Sequence, residues 1–141
     1  MALVLDASVA VAWCLPDESS ASAIRVLDLV RKSHALVPAI WPVELANALV
    51  NAQLRGRANA TDLSTFFQLL DGLVIQIAPS LRTDTAKLHK LAVESGLTVY
   101  DASYLALALE SNLPIATFDQ KILRAAKAYE VRNAFDLNSA V

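Results

Sequence analysis

Four acidic residues lie in apolar surroundings, where a folded chain rarely leaves a carboxylate without a partner. Asp6 follows the run LVL, Glu44 lies in PAIWPVE, Asp101 lies in LTVYDASYLALAL, and Asp119 follows PIATF. Taken singly, each fits a helix N-cap or a first helical turn, where negative charge is favoured. Taken together in one low-dielectric place, the four carboxylates would repel one another and raise one another's pKa values. A hard divalent cation offsets that repulsion, and Asp and Glu oxygens fit Mg²⁺ or Mn²⁺.

Three further polar residues accompany the acids. Ser8 lies two residues after Asp6, and Thr117 lies two residues before Asp119. Each hydroxyl can hydrogen-bond a carboxylate or a metal-bound water, with capping or strand pairing as the alternative explanation. Asn47 comes one helical turn after Glu44 and is expected to face the same site. The two histidines, at positions 34 and 89, have no H-x-x-x-H spacing, so we expect no transition-metal site.

The elements that would position these side chains alternate along the chain. Short apolar runs at 2–5, 34–39, 73–79 and 113–118 have the length of strands, and residues 130–135 form a weaker fifth candidate. Apolar residues at three- and four-residue spacing between the runs predict helices. The fold class is therefore α/β, with a central, mostly parallel sheet of four to five strands flanked by helices on both faces. The carboxyl ends of parallel strands share one edge, so the acids are expected to converge there.

Composition places limits on the class of protein. The chain has 141 residues, 55% hydrophobic and 18% charged, which predicts one compact domain over 1–141 without a disordered segment. Its one cysteine, Cys14, lies among apolar residues and is expected to be buried. We find no signal peptide and no apolar stretch of membrane-spanning length, and expect a cytoplasmic protein. A net charge of −2 allows a local basic patch for nucleic acid.

At this point the sequence resembles the PIN-domain ribonucleases, and among them the VapC-type toxins of bacterial toxin–antitoxin pairs. The resemblance rests on LVLDASVAVAW, PVELANAL, TVYDASYLALAL and PIATFDQKI, in that order, and covers about Leu3 to Phe135. It implies that Asp6, Glu44, Asp101 and Asp119 are the acids that hold Mg²⁺ or Mn²⁺, with Thr117 as a supporting hydroxyl. The implied activity is cleavage of RNA phosphodiester bonds by a metal-activated water.

The resemblance also implies partners. A VapC-type toxin is inhibited by a cognate VapB-type antitoxin and usually forms a homodimer. A mean hydropathy of +0.43 fits a chain that buries apolar helix faces against another subunit. The segments SSASAIRVLDLV and LSTFFQLLDGL are candidate faces, with at least one of Phe66 and Phe67 expected in the core.

Substrate phosphates also need positive charge. Candidate RNA-binding residues are Arg55 and Arg57 after the helix of Glu44, and Lys121, Arg124 and Lys127 after Asp119. A solvated helix face explains the same charges equally well.

Two alternative functions remain open from sequence. One is a PIN-like module that binds RNA or protein without catalysis, although loss of an acid is its usual sign and all four are present. A neighbouring reading frame for a DNA-binding antitoxin would favour the toxin. The other is a phosphohydrolase with Asp6 as nucleophile, but Ser8 stands where such enzymes usually carry a second Asp.

Overall fold

The computed structural model describes residues 1–18, 20–79 and 85–137 as an α/β fold. Its four strands are β1 Leu3–Leu5, β2 Ala35–Val37, β3 Ile75–Ile77 and β4 Ile115–Ala116. The helices of the described residues are α1 Ala7–Cys14, α2 Ala21–Lys32, α3 Trp41–Leu54, α4 Ala60–Asp71, α5 Thr85–Ser95, α6 Val99–Ser111 and α7 Gln120–Ala128. A short 3-10 helix follows at Ala134–Asp136.

The four strands form one parallel sheet in the order β3-β2-β1-β4. The chain adds β2 and β3 on one side of β1 and then returns to place β4 on the other side. The strand order therefore reverses between the neighbouring strands β1 and β4. In open parallel sheets, ligands bind outside the carboxyl ends of the strands at such a point. Asp6 directly follows β1, and Asp119 lies shortly after β4.

The central strands are apolar because helices flank the sheet. Leu3, Val4 and Leu5 of β1 are all inaccessible to solvent, as are Ile115 and Ala116 of β4. The helices pack in two groups, with α2, α3 and α4 around α1, and α5 and α7 around α6. Cys14 is buried, as its apolar neighbours predict. This arrangement confirms the predicted α/β class.

Helix ends follow local sequence signals. Pro42 lies in the first turn of α3, where its missing amide hydrogen costs nothing. Asn59 and Asp62 form a reciprocal capping box at the start of α4. Asn112 ends α6 in the left-handed conformation, with φ of 52°. These signals fix where the helices begin and end relative to the sheet.

The C-terminal segment departs from the weaker strand prediction. Residues 130–135 contribute only an isolated parallel bridge between Ile115 and Asn133. Glu130 has a positive φ of 60°, and the Asn133 side chain caps the following 3-10 helix, so extended pairing stops there. The described sheet therefore has four strands, the lower figure of the predicted range.

The two adjacent phenylalanines of α4 have different environments. Phe66 is 2% exposed and belongs to the core, whereas Phe67 is 50% exposed. The expectation that at least one of them packs in the core is confirmed. None of the helices in the described part of the chain is both long enough and apolar enough to span a membrane.

Candidate functional site

Asp6 is the most buried acid of the four, with 7% of its surface exposed. Its amide donates to the Ala116 carbonyl at 2.9 Å, which ties the end of β1 to the end of β4. Its Oδ2 accepts the Ser8 hydroxyl at 2.7 Å and the Thr117 hydroxyl at 2.6 Å. Asp6 occupies the N-cap position of α1, yet its side chain makes no capping hydrogen bond. Capping therefore does not explain this carboxylate.

Asp119 does serve as a helix cap. Its Oδ1 accepts the amides of Lys121 at 2.8 Å and Ile122 at 3.1 Å, which satisfies the first turn of α7. Its own amide donates to the Thr117 hydroxyl oxygen at 3.0 Å. Thr117 thereby bridges Asp6 and the backbone of Asp119. Among the described residues, the Asp119 Oδ2 has no hydrogen-bond donor, so this oxygen is available to a ligand.

Glu44 reaches the site from the first turn of α3 and is held by a buried tyrosine. The Tyr104 hydroxyl donates to Glu44 Oε1 at 2.6 Å, and the tyrosine is completely buried within α6. This hydrogen bond crosses between the two helix groups. It fixes the direction in which the glutamate points.

Asp101 lies in the first turn of α6 and is not its cap. Thr98 is the N-cap, and its hydroxyl oxygen accepts the Asp101 amide at 3.1 Å. Asp101 is partly buried, and no hydrogen bond within the described part of the chain engages its carboxylate. The capping explanation therefore accounts for Asp119 but leaves the Asp6 and Asp101 side chains without a purely structural role.

All four carboxylates line one open cavity of about 720 Å³. Its walls also include Ser8, the apolar residues Val11, Ala12 and Ala48, and the aromatic Phe118. The predicted convergence of the acids at the carboxyl edge of the sheet is what the structure shows. A fifth acid, Glu18, lines the same cavity. No sequence signal distinguished Glu18 from an ordinary surface acid in a turn.

The charges in this cavity are coupled. Burial raises the pKa of Asp6, and the Asp119 charge adds to that effect against the Thr117 and Ser8 hydrogen bonds. Burial also raises the pKa of Glu44, with the Tyr104 hydrogen bond opposing and the Asp6 and Asp101 charges adding. Burial, Asp119 and Asp6 raise the pKa of Asp101, whereas Thr98 and the Lys121 charge lower it. Each of these carboxylates therefore resists ionisation first because it is buried and further because other acids are near.

The donor set fits a hard divalent cation. In the part of the chain that the structure describes, no group of three His, Cys, Asp or Glu side chains is close enough together to hold a metal ion without other ligands. Mg²⁺ does not require such a group, because it keeps several waters and binds through one or two carboxylates plus substrate phosphates. An open cavity lined by oxygen ligands matches that mode. The carboxylates placed to supply one or two such ligands are those of Asp6, Glu44, Asp101 and Asp119, which all line the cavity.

Asn47 is not brought to the cavity. It is exposed, and Ala48 rather than Asn47 lines the wall next to Glu44. The buried stripe of α3 runs through Trp41, Leu45 and Leu49. With 3.6 residues per turn, Ala48 lies between Glu44 and that stripe, whereas Asn47 lies on the other side of Glu44. The expectation that Asn47 supports the acids is therefore corrected.

The candidate RNA-binding residues lie in two places. Lys121, Arg124 and Lys127 are exposed along the outer face of α7, and the Lys121 charge acts on Asp101. Arg57 instead pairs with Asp17 at 3.3 Å and with Glu18 at the cavity rim. Arg55 is exposed at the C-terminal end of α3 and does not line the cavity. Of these five residues, Lys121 is the one whose charge acts on one of the four predicted acids of the cavity.

Two residues at the site were missed from sequence. Tyr104 binds Glu44 across 60 positions, and only its spacing of three from Asp101 in TVYDASYLALAL connects it to the motif. Thr98 precedes Asp101 by three, which is the spacing of an N-cap and its first turn. Thr98 was therefore recognisable, whereas the contact of Tyr104 depends on how α3 and α6 pack.

Comparisons with known proteins agree with this geometry. A model of the PIN domain matches residues 3–128. Ribonuclease VapC3 of Pyrobaculum aerophilum is 31% identical over 123 residues, covering 86% of this chain and 92% of the relative. The crystal structure of PAE2754 from Pyrobaculum aerophilum superposes with a TM-score of 0.63 at 27% identity, covering 89% of this chain and 87% of that one. The chain therefore belongs to the PIN-domain family, among its VapC-type ribonucleases.

Proposed function

We propose that this chain is an Mg²⁺-dependent endoribonuclease toxin, with Mn²⁺ able to substitute, that a cognate VapB-type antitoxin inhibits. The observation that carries the proposal is the single cavity at the β1–β4 reversal point, which Asp6, Glu44, Asp101 and Asp119 all line. VapC3, which shares the PIN family, is a ribonuclease by name. The proposal also includes a single domain over residues 1–141, a cytoplasmic location and a homodimer. The same family membership supports all three.

The proposed chemistry is hydrolysis of an RNA phosphodiester. When bound, the divalent cation offsets phosphate charge and activates a water. Asp6, Glu44 and Asp101 would hold the ion, because all three line one cavity and a cation there would offset the cost of ionising them, which burial and then their neighbours' charges raise. Asp119 presents its Oδ2 to complete the site or to position the attacking water. The number of ions bound is a matter for metal titration.

The hydroxyls keep the acids in place. Ser8 and Thr117 both donate to the Oδ2 of Asp6, which fixes the orientation of this carboxylate. Its Oδ1 accepts neither hydroxyl and can face a ligand. Such hydrogen bonds behind a metal-binding carboxylate commonly change affinity or activity by about 10- to 100-fold. Lys121, Arg124 and Lys127 on α7 supply positive charge for flanking phosphates.

Cleavage of RNA by the purified chain is the direct test. A mixed pool of single-stranded and structured RNA is incubated with Mg²⁺, with Mn²⁺ and with EDTA, and the products are resolved on a denaturing gel. We expect cutting with either cation and none with EDTA. An Asp6→Asn variant purified in parallel detects contaminating nucleases. Cutting that persists in EDTA would reject the proposed function, and cutting by the variant at the wild-type rate would show that the activity comes from a contaminating nuclease.

Tyr104 gives a separate prediction about positioning. Tyr104→Phe removes the hydroxyl that holds Glu44, so we expect kcat/KM for RNA cleavage to fall about 10-fold. The lost hydrogen bond lowers the pKa of Glu44 in the wild-type chain, so its removal raises that pKa further. The acidic limb of the pH–rate profile should therefore move to higher pH.

The matched control is Tyr129→Phe, at the far end of α7 and away from the cavity. It removes the same atom and is expected to leave both the rate and the profile unchanged. A Tyr104→Phe variant with a lower rate but an unmoved acidic limb would show that the hydroxyl acts on packing alone.

A further inference from the structure

Phe118 is an exposed aromatic residue inside the acidic cavity. It lies between Thr117 and Asp119, lines the same cavity as the four carboxylates, and is 36% exposed. An aromatic ring open to solvent at this position is not explained by the metal chemistry, which requires oxygen ligands. Phe118 is also not a core residue, because its side chain is partly open to solvent. The two residues before it, Ala116 and Thr117, are completely buried.

The ring of Phe118 is supported from one side. It stacks on the ring of Phe135 with 5.0 Å between centroids and 21° between planes. That contact covers one face of the Phe118 ring, so its exposed surface lies on the opposite face and the edge. Phe135 is itself partly buried and packed against the core. Phe135 therefore supports the Phe118 ring on the side opposite its exposed face.

The backbone of Phe118 is fixed to the network around Asp6. Its amide donates to the Ser8 hydroxyl oxygen at 3.1 Å, and that hydroxyl in turn donates to Asp6 at 2.7 Å. The next amide, that of Asp119, donates to the Thr117 hydroxyl oxygen at 3.0 Å. A ring with both a fixed backbone and a backing ring loses little conformational entropy when a ligand stacks on it.

A substrate of this site has a binding problem that an aromatic ring addresses. RNA phosphates are negative and must approach a cluster of carboxylates, so binding energy that does not depend on charge is useful there. Stacking of a nucleobase on an aromatic side chain supplies such energy and tolerates any base, because every base has a π-face. It requires a base that is not already stacked inside a duplex.

We propose that Phe118, backed by Phe135, is a stacking platform for one unpaired base of the RNA next to the cleaved phosphodiester. The inference rests on the proposed ribonuclease function and deepens it, since it names the substrate class as RNA with an unstacked base at the cut. Purines have the larger π-face, so a modest preference for a purine is expected at that one flanking position.

The test is a double-mutant cycle on kcat/KM for cleavage in Mg²⁺. Sequencing the ends of RNA cut from a randomised single-stranded pool first gives the preferred site. A synthetic RNA of that sequence is then compared with copies that carry one abasic nucleotide beside the cut, using the wild-type chain and Phe118→Leu. Val93→Ala, which also shortens an exposed apolar side chain but lies on α5 outside the cavity, is the matched control.

Phe118→Leu is expected to lower kcat/KM about 10-fold on intact RNA, mainly through KM. On the RNA that lacks the stacked base, the same substitution should have little further effect, because the two changes remove one contact. Phe118→Trp should restore the rate, the purine preference should disappear in Phe118→Leu, and Val93→Ala should match the wild-type chain.

Additive losses from the substitution and from every abasic position would overturn the inference. The inference would also be overturned if Phe118→Leu lowered kcat/KM equally for all flanking bases and Phe118→Trp did not restore it. That pattern would indicate a role in packing alone. Failure of the wild-type chain to cut any RNA removes the proposed function itself. Cutting by the wild-type chain with no coupling at Phe118 removes only the platform.

Discussion

Replacing Asp6 by Asn is expected to lower RNA cleavage in Mg²⁺ about 100- to 1000-fold while making the metal-free chain more stable. The loss of activity follows because Asn removes the negative charge at the centre of the acidic cavity, where a cation would be held. The side-chain shape is kept, and the Asn oxygen can still accept the Ser8 and Thr117 hydroxyls. The effect on rate is therefore attributable to charge rather than to lost packing.

The gain in stability has a different cause. Burial, together with the Asp119 charge, raises the pKa of Asp6, so holding its ionised form in the folded chain at neutral pH costs free energy. Asn carries no charge and avoids that cost. We expect a higher Tm in EDTA for Asp6→Asn than for the wild-type chain, measured by differential scanning calorimetry at pH 7.

Glu94→Gln is the matched control for both measurements. Glu94 is exposed in the last turn of α5 and contacts Lys90 at 3.9 Å, a surface pair of small energetic value. It should change neither the cleavage rate nor the Tm appreciably. An Asp6→Asn chain that is inactive but also less stable would assign Asp6 a structural role at the start of α1 instead.

The positions of the acids could be predicted from sequence because a parallel sheet places its strand ends together. Asp6 and Asp119 each follow a short apolar run, and the structure puts both runs side by side as β1 and β4. Neither prediction required knowledge of side-chain packing. The alternation of strands and helices was sufficient, since it gives the direction of every strand.

The contacts that tune the acids depend on how helices pack, and sequence does not give that. Tyr104 and Glu44 meet only because α6 and α3 approach each other from different helix groups. Asn47 was placed at the cavity by its spacing from Glu44, but the direction of the buried stripe of α3 puts Ala48 there. The rotation of a helix about its axis decides such cases, and a spacing of three or four fits either outcome.

Arg57 illustrates the same limit for charged residues. Its position in QLRGR suggested a phosphate contact, yet the folded chain brings Asp17 and Glu18 against it from about 40 positions away. A basic residue that already pairs with two carboxylates must exchange them before it binds RNA. Sequence showed the charge but not its partners.

A divalent cation is expected to stabilise the folded chain strongly, and more so as the pH rises. A cation at a concentration of 100 times its Kd adds about 2.7 kcal/mol to the free energy of unfolding. For a chain of this size that corresponds to a rise in Tm of about 5–10 °C. Thermal unfolding with 10-fold steps of Mg²⁺, and with EDTA, measures the effect directly.

The dependence on pH follows from the three raised pKa values. Asp6, Glu44 and Asp101 bind protons more tightly in the folded chain than in the unfolded chain, where their ordinary values are 3.8, 4.5 and 3.8. Their contribution to stability is therefore greatest below those values and is lost as the pH rises through the raised pKa values of the folded chain. Above that window the carboxylates are ionised, repel one another, and are ready to bind a cation.

The measurable quantity is the difference in Tm between Mg²⁺ and EDTA as a function of pH. We expect that difference to be small near pH 4, to grow as the acids ionise, and then to level off. Taking the difference cancels the contributions of surface groups that do not contact the ion. Glu94→Gln should leave the curve unchanged, whereas Asp6→Asn should flatten it. A Tm difference that is constant from pH 4 to pH 8 would mean that Mg²⁺ binds elsewhere, since only carboxylates that titrate in this window give the binding its rise with pH.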